Sequence, residues 1–269
     1  METVTSRRNA LVARFRSAIG ANRPSRTHLL LDGRRLIADA MRAGASIETV
    51  VVAAAAVRRQ DSAIAMLVTD CVRRGIRVAA GSERVMAAVS PVRSPSTAVA
   101  LASHRPPSVD DVLARATRGC LLAPIGVQDP GNVGAIVRTA DAAGSGGVIV
   151  ARAAADPFGW KALRGAMGST FRIPVADAGE REDLPGRARR AGCTVLATAP
   201  RGGRSMYDLD LTLPLLILIG AEGAGVESKA FEAADVVVSI PMATGVESLN
   251  AAVAAAIIAY EARRQRAAP

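Results

Sequence analysis

The sequence predicts an α/β protein built as two domains, and three observations carry that reading. From residue 120 onward short apolar, β-branched runs alternate with helical stretches. Near residue 105 the composition breaks at a pair of prolines, and all of the excess positive charge lies before that break.

Taken in order, the chain opens with an arm carrying Arg7, Arg8, Arg14, Arg16, Arg23 and Arg26, expected to order only on meeting a partner. Strands are expected at "THLLL" (27–31), "ETVVVAAAA" (48–56), "IRVAA" (76–80) and "TAVALA" (97–102). Between them lie helical stretches such as "GRRLIADAMRAG", where Leu36, Ile37 and Met41 recur at helical spacing. The segment "SHRPPSVDD" (103–111) has paired prolines and no apolar period, so it reads as the linker between a domain of residues 1–105 and one of residues 106–269. Beyond it, strand-like runs stand at "CLLAPIGV" (120–127), "GGVIVA" (146–151), "CTVLAT" (193–198), "LLILIG" (215–220) and "DVVVSI" (235–240). Near-continuous apolar strands, each followed by a helix, indicate a parallel sheet covered on both faces. Ligands then belong at the carboxyl ends of its strands.

Residues 1–105 hold seventeen arginines and no lysine against seven acids, a balance of +10, while the remaining residues balance to zero. The planar fork of arginine matches phosphate oxygens, so the N-terminal domain is a candidate for nucleic-acid contact. The competing reading, charges that merely solvate a surface, explains the missing lysines better than it explains the asymmetry. No apolar run reaches the roughly 18 residues of a membrane span, and no secretory leader opens the chain, so a soluble cytoplasmic protein is expected. Cys71, Cys120 and Cys193 are scattered in apolar surroundings, which suits reduced core thiols and no metal site.

Three loops carry the chemistry. "DPGNVGAIVRTA" begins a helix with Gly131 and Gly134 in a G-x-x-G turn; "GAEGAG" (220–225) is G-x-x-G-x-G and comes late in its domain. A dinucleotide fold needs G-x-G-x-x-G directly after its first strand, so an NAD-dependent enzyme is disfavoured. In "SIPMATGVESLNAAVAAAIIAYEARR" a strand gives way to an alanine-rich helix expected to begin near Ser248, whose hydroxyl suits a helix cap.

In this order and spacing, "DPGNVGAIVRTA", "LILIGAEGAGV" and "SIPMATGVESLNAAVA" resemble the three signature motifs of the SpoU (TrmH-like) branch of the SPOUT RNA methyltransferases. The likeness covers residues 118–262, with "LRGAMGSTFRIPV" and "TAPRGG" between the motifs. "THLLLDGRRLIADAMRAGASIETVVV" resembles, less closely, the ribosomal-protein-like substrate-binding domain often attached to this branch.

The resemblance implies a deep trefoil knot in the C-terminal domain, which topology rules alone would never suggest, and S-adenosylmethionine held against its loops. It implies transfer of a methyl group to a ribose 2'-oxygen of RNA by a homodimer. Gly220, Gly223 and Gly225, with the small residues Ala251, Ala252, Ala254, Ala255 and Ala256, are compatible with close backbone passage. Carried over by position, Gly220, Ile240 and Leu249 contact the cofactor, with Met242 and Thr198 nearby. Asn132, Arg138, Glu222, Ser248 and Asn250 form the catalytic set, and no metal takes part. His28 and His104 lie outside the motifs; the resemblance assigns the proton of the hydroxyl to Arg138, and because a charged guanidinium has no acceptor, Arg138 alternatively clamps a phosphate and orients the ribose. Asn132, at a helix start, reaches a ribose hydroxyl, and Ser248 and Asn250 stand across from it. The helix "AAVAAAIIAY" serves either the dimer or its own subunit's core. Ribosomal RNA is the expected substrate, with transfer RNA or a non-catalytic RNA-binding or assembly role as alternatives. Ala221 and Ala251–Ala252 depart from the larger or polar residues usual in the family, which leaves the shape of the cofactor pocket open.

Overall fold

The computed structural model describes residues 1–20, 26–151, 153–179, 183–221 and 231–267. The chain divides into two compact units, Met1–Arg105 with Phe158–Arg164, and Pro106–Pro157 with Gly165–Pro269.

In the first unit, strands β1 (Glu2–Val4), β2 (His28–Asp32), β3 (Ile47–Ala53), β4 (Arg77–Gly81) and β5 (Ala98–Ser103) form one sheet in the order β1-β4-β3-β5-β2. The β1/β4 and β3/β4 pairs are parallel, and β5 runs antiparallel to both β3 and β2. Helices α1 (Ala10–Gly20), α2 (Arg34–Arg42), α3 (Ala54–Arg58), α4 (Ser62–Arg73) and α5 (Glu83–Val89) connect or flank these strands.

Two expectations are corrected here. The N-terminal arm is folded, because Leu11, Val12, Phe15 and Ala18 recur at helical spacing and bury one face of α1 in a core with Val4, Leu30, Val51, Val85 and Leu101. Arg14 and Arg16 point outward from it, and Arg23 lies outside the described residues. The run 48–56 is not one strand: it turns into α3 at Ala54, where four-residue alanine propensity for helix outweighs the strand pattern.

The segment Phe158–Arg164 follows the linker in sequence yet groups with the first unit. The Phe158 ring sits 4.0 Å from that of His104, and Trp160 packs on the same core as α1. Buried Asp32 accepts hydrogen bonds from Ser90 Oγ and Ser96 Oγ at 3.0 Å each, with Arg164 Nη1 3.8 Å away, which offsets the cost of burying a carboxylate.

The expected linker is shorter than its composition implied. β5 runs to Ser103, and helix α6 (Val109–Leu113) starts with a capping box in which Ser108 Oγ accepts from Asp111 N while the Asp111 carboxylate accepts from Ser108 N. The second unit then carries β6 (Leu121–Pro124), α7 (Pro130–Ala143), β7 (Gly147–Ala151), α8 (Trp160–Ala166), β8 (Val175–Gly179), α9 (Leu184–Arg190), β9 (Thr194–Thr198), β10 (Arg204–Ser205), β11 (Leu215–Ile219), β12 (Val236–Ser239) and α10 (Ala251–Ala267). Helix α8 straddles the division, since its residues through Arg164 belong to the first unit. The strands form a wholly parallel sheet in the order β10-β12-β9-β11-β6-β7-β8. The parallel expectation therefore stands, and the sequence reading did not name β8 and β10: both are parallel edge strands, and β10 has only two residues.

The core of this unit joins Leu121, Ile149, Val195, Leu216 and Leu218 from the strands to Val112, Leu113, Leu184 and Ala188 from the helices. Asp129 caps α7 by accepting from Gly131 N at 2.7 Å, Pro130 takes the first helical position, and Gly144 ends the helix at φ 69°, a left-handed conformation that suits glycine. Cys71, Cys120 and Cys193 are buried free thiols.

Candidate active site

Strands β9, β11 and β12 lie side by side, and their carboxyl ends open onto one cavity. Its walls are Thr198, Ala199 and Pro200 after β9; Ile219, Gly220 and Ala221 after β11; Val238, Ile240 and Met242 after β12; Glu247, Ser248 and Leu249 from the next loop; and Ala251, Ala254 and Ile258 from α10. The open cleft has a volume of about 190 Å³. Gly220, Ile240, Leu249, Met242 and Thr198, assigned from sequence to one ligand, all line this space, and Ser248 joins them.

The loop and helix that close the cavity are organised by one side chain. Asn250 Oδ1 accepts from Ala252 N at 2.9 Å and Val253 N at 3.3 Å, which makes Asn250 the cap of α10. This corrects the expectation at Ser248: the helix begins at Ala251, so Ser248 stands too early to reach its free N–H groups. With Oδ1 committed to the helix, Asn250 Nδ2 donates to Asn132 Oδ1 at 3.2 Å. Asn132 occupies the first turn of α7, against which α10 packs, so the first and third motifs meet through this amide pair. Close passage at the same turn is possible because Gly165 has no side chain: a Cβ there would lie 3.1 Å from the Gly131 carbonyl oxygen.

Arg138 is not drawn into this cluster. It is exposed on α7, does not line the cavity, and makes no hydrogen bond or ion pair among the described residues. Glu222 lies outside the described residues, as do Gly223 and Gly225.

Sequence reasoning missed Glu247, the one charged side chain among the described lining residues, although it directly precedes Ser248 in the third motif. It also missed Arg201, whose Nη2 donates to the Val246 carbonyl at 3.3 Å and ties the loop after β9 to the loop after β12. Thr198 Oγ1 donates to the Leu218 carbonyl at 3.0 Å, so its hydroxyl proton is spent within the sheet. No arginine, lysine or histidine is among the described lining residues.

The SpoU rRNA Methylase family profile matches residues 120–260, slightly more than half of the chain. The chain belongs to the SpoU rRNA methylase family. Within it, the chain is 31% identical over 267 residues to the 23S rRNA (guanosine(2553)-2'-O)-methyltransferase RlmP of Bacillus subtilis, covering 98% of this chain and all of that one. Among solved structures, an AdoMet-bound rRNA methyltransferase from Sinorhizobium meliloti superposes with a TM-score of 0.83 at 31% identity, covering 99% of both chains. The SpoU methyltransferase AviRb from Streptomyces viridochromogenes, in complex with AdoMet, also gives 0.83 at 31% identity over 96% of this chain and 98% of that one. The α/β architecture with its parallel sheet is thus that of SpoU methyltransferases, which the motif resemblance implied.

Proposed function

We infer that this SpoU protein transfers a methyl group from S-adenosylmethionine to a ribose 2'-hydroxyl of large-subunit ribosomal RNA, in the cytoplasm. The observation that carries the reading is the convergence of residues from the second and third motifs on one cleft at the strand ends. The cleft fits the donor: apolar walls for an adenosine, small residues Gly220, Ala221, Ala251 and Ala254 for close approach, and a carboxylate where a cation is to be held. S-adenosylmethionine supplies a methyl group already activated by its sulfonium.

The protein's part is then to align and to hold. Ile240, Met242 and Leu249 bind the donor, while Ser248 and the Asn132–Asn250 pair set the ribose against it; fixing two reactants in this way can lower a barrier by roughly 7 to 11 kcal/mol. A guanidinium offers donors and no acceptor, so an exposed Arg138 suits clamping a phosphate of the target nucleotide and orienting its sugar. Glu222 completes the catalytic set.

The N-terminal unit, residues 1–105, is the RNA-grasping domain in this proposal. Arg8, Arg16, Arg34, Arg35, Arg58 and Arg59 are exposed and make no ion pair among the described residues, which leaves them available for phosphates. The C-terminal unit carries the trefoil knot: from β12, on the far side of β9, the chain returns to place α10 against α7, which supports a threaded path. The protein acts as a homodimer through the outer face of α10, where Val253 and Tyr260 are 47% and 50% exposed and Ile257 lies between them at helical spacing.

Incubation with labelled S-adenosylmethionine and separate pools of 23S rRNA, 16S rRNA and transfer RNA, followed by mapping of the labelled ribose, tests this. Label on 23S rRNA alone is expected. Label on transfer RNA would favour the alternative substrate, and binding of RNA and donor with no transfer would leave an assembly factor.

A further inference from the structure

The scheme above gives Glu247 one general part, that of a carboxylate in the donor cleft. It lines the cleft, it is exposed, and it is the one charged group among the described lining residues. Among the other described lining residues the polar side chains are Thr198, whose hydroxyl donates to the Leu218 carbonyl, and Ser248, which is neutral. The loop bearing Glu247 is also held in place, since Arg201 grips the carbonyl of the preceding residue, Val246. An exposed carboxylate on an anchored loop therefore stands at the wall of a cleft whose other described lining residues are apolar or small.

A cation entering such a space loses hydration, and a carboxylate at its wall offsets that loss. The donor and the spent product share an adenosine and an amino-acid zwitterion, and they differ in charge at sulfur: the sulfonium is positive and the thioether is neutral. We propose that Glu247 is a specificity residue that reads this charge, favouring S-adenosylmethionine over S-adenosylhomocysteine and so easing replacement of product by donor. The inference rests on the cleft being the donor site.

Calorimetric titration of the full chain with each of the two compounds tests it. Glu247→Gln is expected to weaken S-adenosylmethionine binding about two- to fivefold, the range an exposed ion pair supplies, and to leave S-adenosylhomocysteine binding unchanged. In the wild type the ratio of the two affinities should shrink as salt is raised, and in Glu247→Gln it should not respond. An equal loss for both compounds would mean that Glu247 meets their common ammonium group, and no loss for either would mean that it meets neither; both results overturn the proposal. Ala254→Phe, which fills the cleft, separates this failure from failure of the site itself. If that variant binds both compounds as the wild type does, the donor lies elsewhere.

Discussion

At the scale of single residues, the two ends of the Asn250 amide do different work, and substitution can separate them. Asn250→Asp keeps an oxygen for the Ala252 and Val253 N–H groups and loses the donor to Asn132. It should melt close to the wild type while single-turnover methylation falls. Asn250→Ala loses the cap as well and should lower stability by about 0.5 to 2 kcal/mol, read from urea unfolding. The motif pattern had pointed to both Ser248 and Asn250, but which of them caps α10 depends on where the helix begins, a matter of one or two residues that no spacing rule resolves. Arg138 is the opposite case, since its exposed position shows no packing reason for an arginine at all. Arg138→Ala should slow single-turnover methylation by about 10²- to 10⁴-fold with donor affinity unchanged. Near-wild-type turnover would remove Arg138 from the mechanism. Partial rescue by Arg138→Lys would favour the phosphate clamp, because lysine retains the charge without the fork.

At the scale of elements, α10 is fastened at both ends. Its start is capped by Asn250; toward its other end Gln265 Nε2 donates to the Leu209 carbonyl, Gln265 Oε1 accepts from Leu211 N, and Arg266 Nε donates to the Leu211 carbonyl. Hydrogen bonds from Arg264 and then Gln265 hold the Glu261 carboxyl, buried on this helix, down from 4.5 to about 2, against the opposing effect of burial. The unfolded chain binds that proton near pH 4.5, so the stabilisation is complete above that pH and is lost as pH falls from 4.5 toward 2. Glu261→Gln should therefore flatten the acid limb of the stability profile, a difference of about 1 kcal/mol between pH 6 and pH 2.5 given the exposure of Arg264. An acid limb identical to the wild type would show that this cluster does not govern it. The helix was legible in the sequence, and its partners were not: nothing in the local pattern tells that Gln265 and Arg266 meet the backbone of Leu209–Leu213.

For the whole molecule, the charge asymmetry becomes a statement about RNA. Six N-terminal arginines meeting phosphates should give a plot of log affinity against log salt with a slope near −4 to −5. A slope near zero would return them to ordinary solvated surface. The ion pairs formed by Arg14, Arg42, Arg73 and Arg77 already remove those four from the count. If the outer face of α10 is a dimer surface, Val253→Glu with Tyr260→Glu should halve the mass measured by light scattering. An unchanged mass would assign the exposed stripe to another purpose.

The sequence by itself determined the parallel sheet, and the motif resemblance named the residues that the structure gathers around one cleft at its strand ends. The sheet follows from a local signal, unbroken apolar strands alternating with helices. Only the tertiary structure decided that the arginine arm is folded, that Phe158–Arg164 belongs with the first unit, that Asn250 meets Asn132, and that Glu247 lines the cleft at the strand ends. Each of these joins residues far apart along the chain or depends on a helix start fixed by its neighbours, and periodicity reports only which face of an element is apolar, never what will cover it.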